Sequence, residues 1–127
     1  MGNIGTVGRH FIVEMWGCDN EMINDPEKVM DILHNAAKDA RATVIKSASH
    51  QFDPSGVTGI AILAESHISI HTWPEEGYVA ADIFTCGTNT DPELGVQSLI
   101  DGFKPENSST MELKRGNAQS KEPVLIS

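Results

Sequence analysis

Apolar residues along this chain follow two rhythms. Val29, Ile32, Leu33, Ala36, Ala37 and Ala40 repeat at three and four, which gives a helix one buried face. Asn24 or Asp25 before Pro26 and Glu27 is a helix start, so this helix runs from there to about Arg41. A second start, Asp91-Pro92-Glu93, predicts a helix to about Phe103. Elsewhere the rhythm is that of strands. Segments 9–16, 43–52, 57–65, 67–73 and 78–86 read as strands, with a last one near 109–114. Gly17 closes the first, and Asp53-Pro54-Ser55-Gly56 and Pro74-Glu75-Glu76-Gly77 are turns between others.

The predicted order is β-α-β-β-β-β-α-β. Most strands follow one another directly, which favours an α+β fold: a two-layer α/β sandwich with a mainly antiparallel sheet and two helices on one face. Strands 57–65, 67–73 and 78–86 are apolar on both faces. One face packs on the helices. The other needs a second sheet that one short chain does not supply, so the sheets are expected to pair in a homodimer. The whole chain, 1–127, reads as a single domain with a loose lead-in over 1–8 and a disordered tail over 116–127.

Composition narrows the partners. With 127 residues, 39% hydrophobic and 21% charged, the chain can bury a core without disulfides or metal. A formal charge of −9 and a pI near 4.8 speak against a phosphate-binding surface and hence against nucleic acid, and are compatible with a cationic small molecule. Two cysteines, Cys18 and Cys86, are too few for a disulfide framework and suit a reducing cytoplasm. No secretory signal and no apolar run of membrane-spanning length is visible, so no membrane partner is expected.

The chemistry concentrates in residues 64–76, Ala-Glu-Ser-His-Ile-Ser-Ile-His-Thr-Trp-Pro-Glu-Glu. Glu65-Ser66 joins two apolar strands with no Gly, Pro, Asn or Asp to make the turn. An ordinary surface pair is one reading. The other is a strained peptide whose carbonyl is open to attack. The Ser66 hydroxyl lies one residue from that carbonyl, at high effective concentration. Attack turns the amide into an ester; elimination leaves dehydroalanine, which hydrolyses to a pyruvoyl group. His67 and His71 would sit about 13 Å apart on one strand face, too far for one metal ion, so no metal site is expected. Ser66 and His71 have opposite parity and meet only if the strand is irregular near Ser66. His71 on its own fits an ordinary strand histidine equally well. Cys86 is either a packed small hydrophobe or a proton donor. Phe52 and Trp73 are either core residues or walls that stack a nucleobase.

Glu65-Ser66-His67-Ile68-Ser69-Ile70-His71-Thr72-Trp73-Pro74-Glu75, with Gly8-Arg9-His10 before it and Phe84-Thr85-Cys86-Gly87 after it, resembles the short prokaryotic S-adenosylmethionine decarboxylase proenzymes. The resemblance covers residues 8–88 well and 89–115 loosely. It implies self-cleavage between Glu65 and Ser66, giving a β chain (1–65) and an α chain (66–127) headed by a covalent pyruvoyl cofactor made from Ser66. That ketone would form a Schiff base with S-adenosylmethionine and act as electron sink, releasing CO2 and S-adenosylmethioninamine, the aminopropyl donor for spermidine. His71 then corresponds to the processing residue, Cys86 to the catalytic proton donor, Glu65 to the new β-chain terminus, and Phe52, Trp73 and Glu75 to substrate-binding residues. The family's Gly-x-Ser-Gly segment, whose hydroxyl supports processing, stands here as Gly56-Val57-Thr58-Gly59, with a methyl added on Thr58. The resemblance also implies paired protomers with sites at their interface. A pyruvoyl-dependent decarboxylase of another amino acid, such as arginine, is the alternative; the aromatic pair favours an adenosyl substrate.

Overall fold

The computed structural model describes residues 7–126, so most of the expected lead-in lies outside the described residues. The chain runs β1 (Gly8–Trp16), a one-turn helix α1 (Asn20–Ile23), α2 (Pro26–Asp39), β2 (Val44–Gln51), β3 (Val57–Leu63), β4 (Ser66–Trp73), a 3-10 turn (Pro74–Glu76), β5 (Tyr78–Cys86), α3 (Pro92–Phe103), β6 (Asn107–Arg115) and β7 (Val124–Ile126). All seven strands form one sheet in the order β2-β3-β4-β5-β1-β6-β7, every neighbouring pair antiparallel. This is the expected α+β sandwich.

Local chemistry accounts for the helices. Asp25 caps α2, its carboxylate accepting from the Glu27 and Lys28 N–H groups, and Pro26 takes the first turn, where no N–H is needed. The periodic residues Val29, Ile32, Leu33, Ala36 and Ala37 are buried against the sheet. Gly59 of β3 makes the close approach possible: a Cβ there would lie 2.7 Å from the Met30 sulfur. α3 packs beside α2 and buries Val96, Leu99 and Phe103. The core lies between these helices and the inward side chains of the central strands, including Val13, Met15, Ile68, Ile70, Val79 and Ile83. Fully burying one such aliphatic side chain is worth about 1.5–3 kcal/mol.

Two elements were not foreseen. α1 is a single turn capped by Asp19, whose carboxylate accepts from Met22 N–H. It is tied to the sheet through the buried Thr72, whose hydroxyl donates to the Ile23 carbonyl at 2.7 Å and accepts from Val57 N–H at 2.9 Å. The second is β7. The tail expected to be disordered turns at Asn117–Lys121 and returns as a three-residue strand, Val124–Ile126, against Glu112–Lys114 of β6. Val124-Leu125-Ile126 supplies β-branched and aliphatic residues that pair with an otherwise open sheet edge. Among the described residues no helix is long and apolar enough to cross a membrane.

Among the described residues no helix covers the other face of the sheet. It presents His10, Ile12, Glu14 and Trp16 from β1, Thr58, Ile60 and Ile62 from β3, His67, Ser69, His71 and Trp73 from β4, and Tyr78, Asp82, Phe84 and Cys86 from β5. Ile60 is 43% and Ile62 50% exposed, so β3 is apolar on both faces, as its sequence suggested.

Candidate active site

β3 and β4 are joined by two residues, Ala64 and Glu65, with Leu63 paired to Ser66. Two-residue hairpins favour turns with positive φ at the central residues. Neither Ala64 nor Glu65 has one; Ser66 takes it instead, at φ 151°. For a serine this is a strained conformation, costing on the order of 1–3 kcal/mol. The turn is held from below by the loop before β2: Ala64 N–H donates to the Thr43 carbonyl at 2.8 Å, and Thr43 N–H donates to Glu65 Oε1 at 3.1 Å.

The Glu65 carbonyl oxygen accepts two hydrogen bonds from one residue. Cys86 backbone N–H and Cys86 Sγ–H both donate to it at 3.1 Å. Two donors on the oxygen of the peptide before a strained serine polarise its carbon, the arrangement that stabilises a tetrahedral oxyanion. Glu65, Ser66 and Cys86, named from the sequence, thus come together at one end of β4. Cys18, the other thiol, is buried in the core and pushed up to about 11 by that burial, so it is inert.

Behind Ser66 lies a cluster that sequence reasoning missed. Ser66 Oγ is 3.5 Å from His67 Nδ1, and His67 Nε2 is 3.3 Å from Asp82 Oδ2. His10 Nε2 lies 2.6 Å from the same carboxylate oxygen, and Ser69 Oγ–H donates to Asp82 Oδ1. Burial pushes the Asp82 carboxyl up, but hydrogen bonds from Ser69, His10 and His67 outweigh it and hold the group below its ordinary 3.8. The ligand atoms of His10, His67 and Asp82 lie within 4.8 Å of one another, so they could hold a metal ion. The Arg115 guanidinium, 3.4 Å from His10 Nδ1, puts a fixed positive charge beside them, and both Asp82 oxygens already accept hydrogen bonds. No periodicity announces this cluster; only the register, which sets His10 and His67 opposite Phe84 and Asp82 opposite Ser69, assembles it.

The remaining predicted residues gather at the other end of β4. Thr58 and His71 are cross-strand partners, with Thr58 Oγ1 3.0 Å from His71 Nδ1. Trp73 lies beyond, its ring 6.5 Å from that of His71 and stacked on Tyr78, which stacks on Trp16. Glu75 follows in the 3-10 turn, accepting from Ser55 Oγ–H at 3.4 Å, and lines a surface depression of about 450 Å³ with Asn20, Glu21, Asn24, Ser55 and Pro74. Phe52, 48% exposed, projects at the β2–β3 turn against His50. This end lacks Ser66 and Cys86.

Ser66 and His71 do not meet within the chain. The expected irregularity is absent: β4 pairs residue for residue from Ser66 to Trp73 with β5, and with β3 from Ser66 to His71. Five residues of regular strand separate the two by about 16 Å. The strain at Ser66 is confined to its own φ and does not bend the strand.

A strained peptide with its carbonyl held by two donors, on an antiparallel sheet backed by two helices, is a setting for an enzyme that modifies its own chain. The family model of S-adenosylmethionine decarboxylase matches residues 9–116. The chain belongs to the S-adenosylmethionine decarboxylase family. It is 47% identical over 110 residues to the S-adenosylmethionine decarboxylase proenzyme of Methanococcus maripaludis, covering 87% of this chain and 90% of that one. It is 49% identical over 111 residues to the proenzyme of Pyrococcus furiosus, covering 87% and 80% respectively. The crystal structure of the adenosylmethionine decarboxylase from Aquifex aeolicus superposes with a TM-score of 0.83 at 37% identity, over 88% of this chain and 92% of that one. These relatives give the arginine alternative no support.

Proposed function

We propose that this chain cuts itself between Glu65 and Ser66 and then decarboxylates S-adenosylmethionine to S-adenosylmethioninamine and CO2, the product serving as aminopropyl donor for spermidine. One observation carries the reading: the Glu65 carbonyl, on the strained side of Ser66, accepts from both Cys86 N–H and Cys86 Sγ–H. The printed names of the relatives, decarboxylases and proenzymes, support the substrate and the self-cleavage.

A pyruvoyl group formed from Ser66 supplies a ketone that draws off the electrons left by departing CO2. The chain's own residues do the rest. Cys86 Sγ, beside position 66, is the proton donor to the carbon that has lost CO2. Phe52 and Trp73 offer ring faces for adenine, at roughly 1–3 kcal/mol per stacked base. Glu75 offers a carboxylate to a cationic substrate. His71, with its Nδ1 against Thr58, removes the proton that drives ester elimination. A thiol that must stay reduced fits a cytoplasmic setting.

Because His71 and the aromatic residues stand so far from Ser66, the complete site needs two chains. Two copies stacked on their helix-free faces, strands running in opposite senses, lay the Ser66 end of one against the partner's His71, Thr58, Phe52, Trp73 and Glu75. The same stacking covers Ile60 and Ile62, which are exposed in one chain. The mature enzyme is therefore a homodimer of cleaved protomers.

Intact-mass measurement of purified protein tests this. Two fragments, residues 1–65 and 66–127, each about half of the 13.8 kDa chain, are expected. The second should lack a free amino terminus and react with carbonyl reagents, and Ser66→Ala should stay uncut and inactive. An active preparation holding only full-length chain with an ordinary serine at 66 overturns the reading.

A further inference from the structure

Self-cleavage needs a base, and His71 of the same chain is out of reach of Ser66. We propose that His67 is the general base of the acyl shift and that Asp82 positions it. This rests on the self-cleavage reading and deepens it.

The geometry is that of a serine nucleophile, a histidine and a carboxylate in line: Ser66 Oγ to His67 Nδ1 at 3.5 Å, His67 Nε2 to Asp82 Oδ2 at 3.3 Å. The first distance is long, as nucleophile–base contacts before reaction commonly are. The tautomer follows from the neighbours. An ionised Asp82 can only accept, so His67 Nε2 carries the proton and Nδ1 turns its lone pair to the Ser66 hydroxyl. Asp82 is kept ionised by the hydrogen bonds that Ser69 and His10 also give it. His10 is fixed in the matching form: Arg115 can only donate to His10 Nδ1, which leaves His10 Nε2–H to donate to Asp82. On the far side of the reacting carbon stand Cys86 N–H and Sγ–H. Nucleophile, base, positioning carboxylate and oxyanion donors surround one peptide bond, all from one chain.

The step balances without a co-reactant. Ser66 Oγ bonds to the Glu65 carbonyl carbon while its proton passes to His67 Nδ1. The carbonyl π pair moves to the oxygen, held by the two Cys86 donors. Collapse reforms the carbonyl and breaks the bond between Glu65 C and Ser66 N; the departing nitrogen takes the proton back from His67. The product is an ester between Glu65 and the Ser66 side chain, with a free amine on Ser66. Elimination, assigned above to the partner's His71, follows as a separate step. Processing then has two bases, one from each chain.

Hydroxylamine cuts the ester but not the peptide, so it separates the two steps. In purified His71→Ala protein, hydroxylamine should cut the chain at 65/66. Adding His67→Gln to that background should slow the cut about a hundredfold or more, the span of a lost general base. Glutamine keeps a donor toward Asp82; should His67→Ala fail to fold by circular dichroism, His67→Gln decides alone. Where His67→Ala folds, added imidazole should restore the cut. Asp82→Asn should slow the cut when His67 is present and cost little more when it is already gone, a non-additivity that a purely structural role would not produce. Equal hydroxylamine cutting with and without His67, or additive losses at 67 and 82, overturns the proposal while wild-type self-cleavage still stands. A wild-type chain that never cuts at 65/66 overturns both.

Discussion

The two ends of β4 face the same side of one sheet yet are built differently. At the Ser66 end the backbone is strained, the polar groups are half-buried, Glu65 is hydrogen-bonded to Cys86, and His67 to Asp82. At the Trp73 end Phe52, His71 and Trp73 are exposed, and rings are stacked from Trp73 through Tyr78 to Trp16. One end holds a serine, a thiol and an imidazole beside a strained residue, and its rings, His10, His67 and Phe84, meet edge-on or tilted. The other offers flat apolar faces and lacks Ser66 and Cys86. The proposed function divides bond-making and recognition along a single strand roughly 23 Å long at about 3.3 Å per residue. On the reading proposed above, such a site is complete only where unlike ends of two molecules meet.

The comparison breaks most sharply by subunit complementation. Ser66→Ala and His71→Ala proteins should each remain without pyruvoyl group when expressed alone. Co-expressed, they should form mixed dimers in which the His71→Ala chain keeps its own Ser66 and meets an intact His71 on its partner. Mass spectrometry should then find the 66–127 fragment of the His71→Ala chain, rising from none to a substantial share. Absence of that fragment from isolated mixed dimers would show that the two ends do not complete each other.

A smaller effect separates the two tasks of Cys86 at the Ser66 end. Cys86→Ser keeps the backbone N–H and has a hydroxyl to donate to the Glu65 carbonyl, so cleavage should persist, slowed a few-fold at most. Turnover should fall about a hundredfold or more with the loss of the thiol acid. Misplaced protonation should leave the 66–127 fragment headed by alanine after exposure to substrate, visible by mass. Wild-type turnover with an intact ketone would reduce Cys86 to a packed residue.

The smallest effect is on stability. Asp82 is held below its ordinary 3.8, so the fold favours its ionised form. That stabilisation is complete above 3.8 and is lost as pH falls through the lower folded value. Melting temperatures measured from pH 7 to pH 3 should show wild type above Asp82→Asn at neutral pH, with the gap closing in acid. A gap that stays constant across the range would mean that the carboxylate charge contributes nothing.

Much of this was legible in the sequence, for identifiable reasons. Asp25-Pro26 marks a helix start through cap chemistry that acts within four residues, and the helix begins there. Alternation identified the strands because each strand's inner residues meet the same core. Strain near Glu65-Ser66 was legible because a short turn without Gly, Asn, Asp or Pro has few relaxed forms, though it falls on the φ of Ser66. What stayed hidden depends on register or on few residues. α1 is one turn, too short for periodicity, and β7 is three residues that gain pairing only once β6 is in place. His67 was weighed only against His71 on its own strand, whereas its partner, Asp82, lies across the ladder on β5. The separation of Ser66 from His71 needed the register to show that β4 has no bulge.

The strand order has a consequence for the molecule's later life. A cut at 65/66 leaves β1, β2 and β3 on one piece and β4 to β7 on the other, and the sheet interleaves them, with β1 of the first piece between β5 and β6 of the second. The pieces stay zipped together as long as the sheet stands. Before the cut, folding is a first-order event within one chain; afterwards, reassembly is second-order and slows with dilution. With that cut, the intact peptide would serve as the tether for folding once, and the mature protein, if melted at low concentration, would have no quick way home.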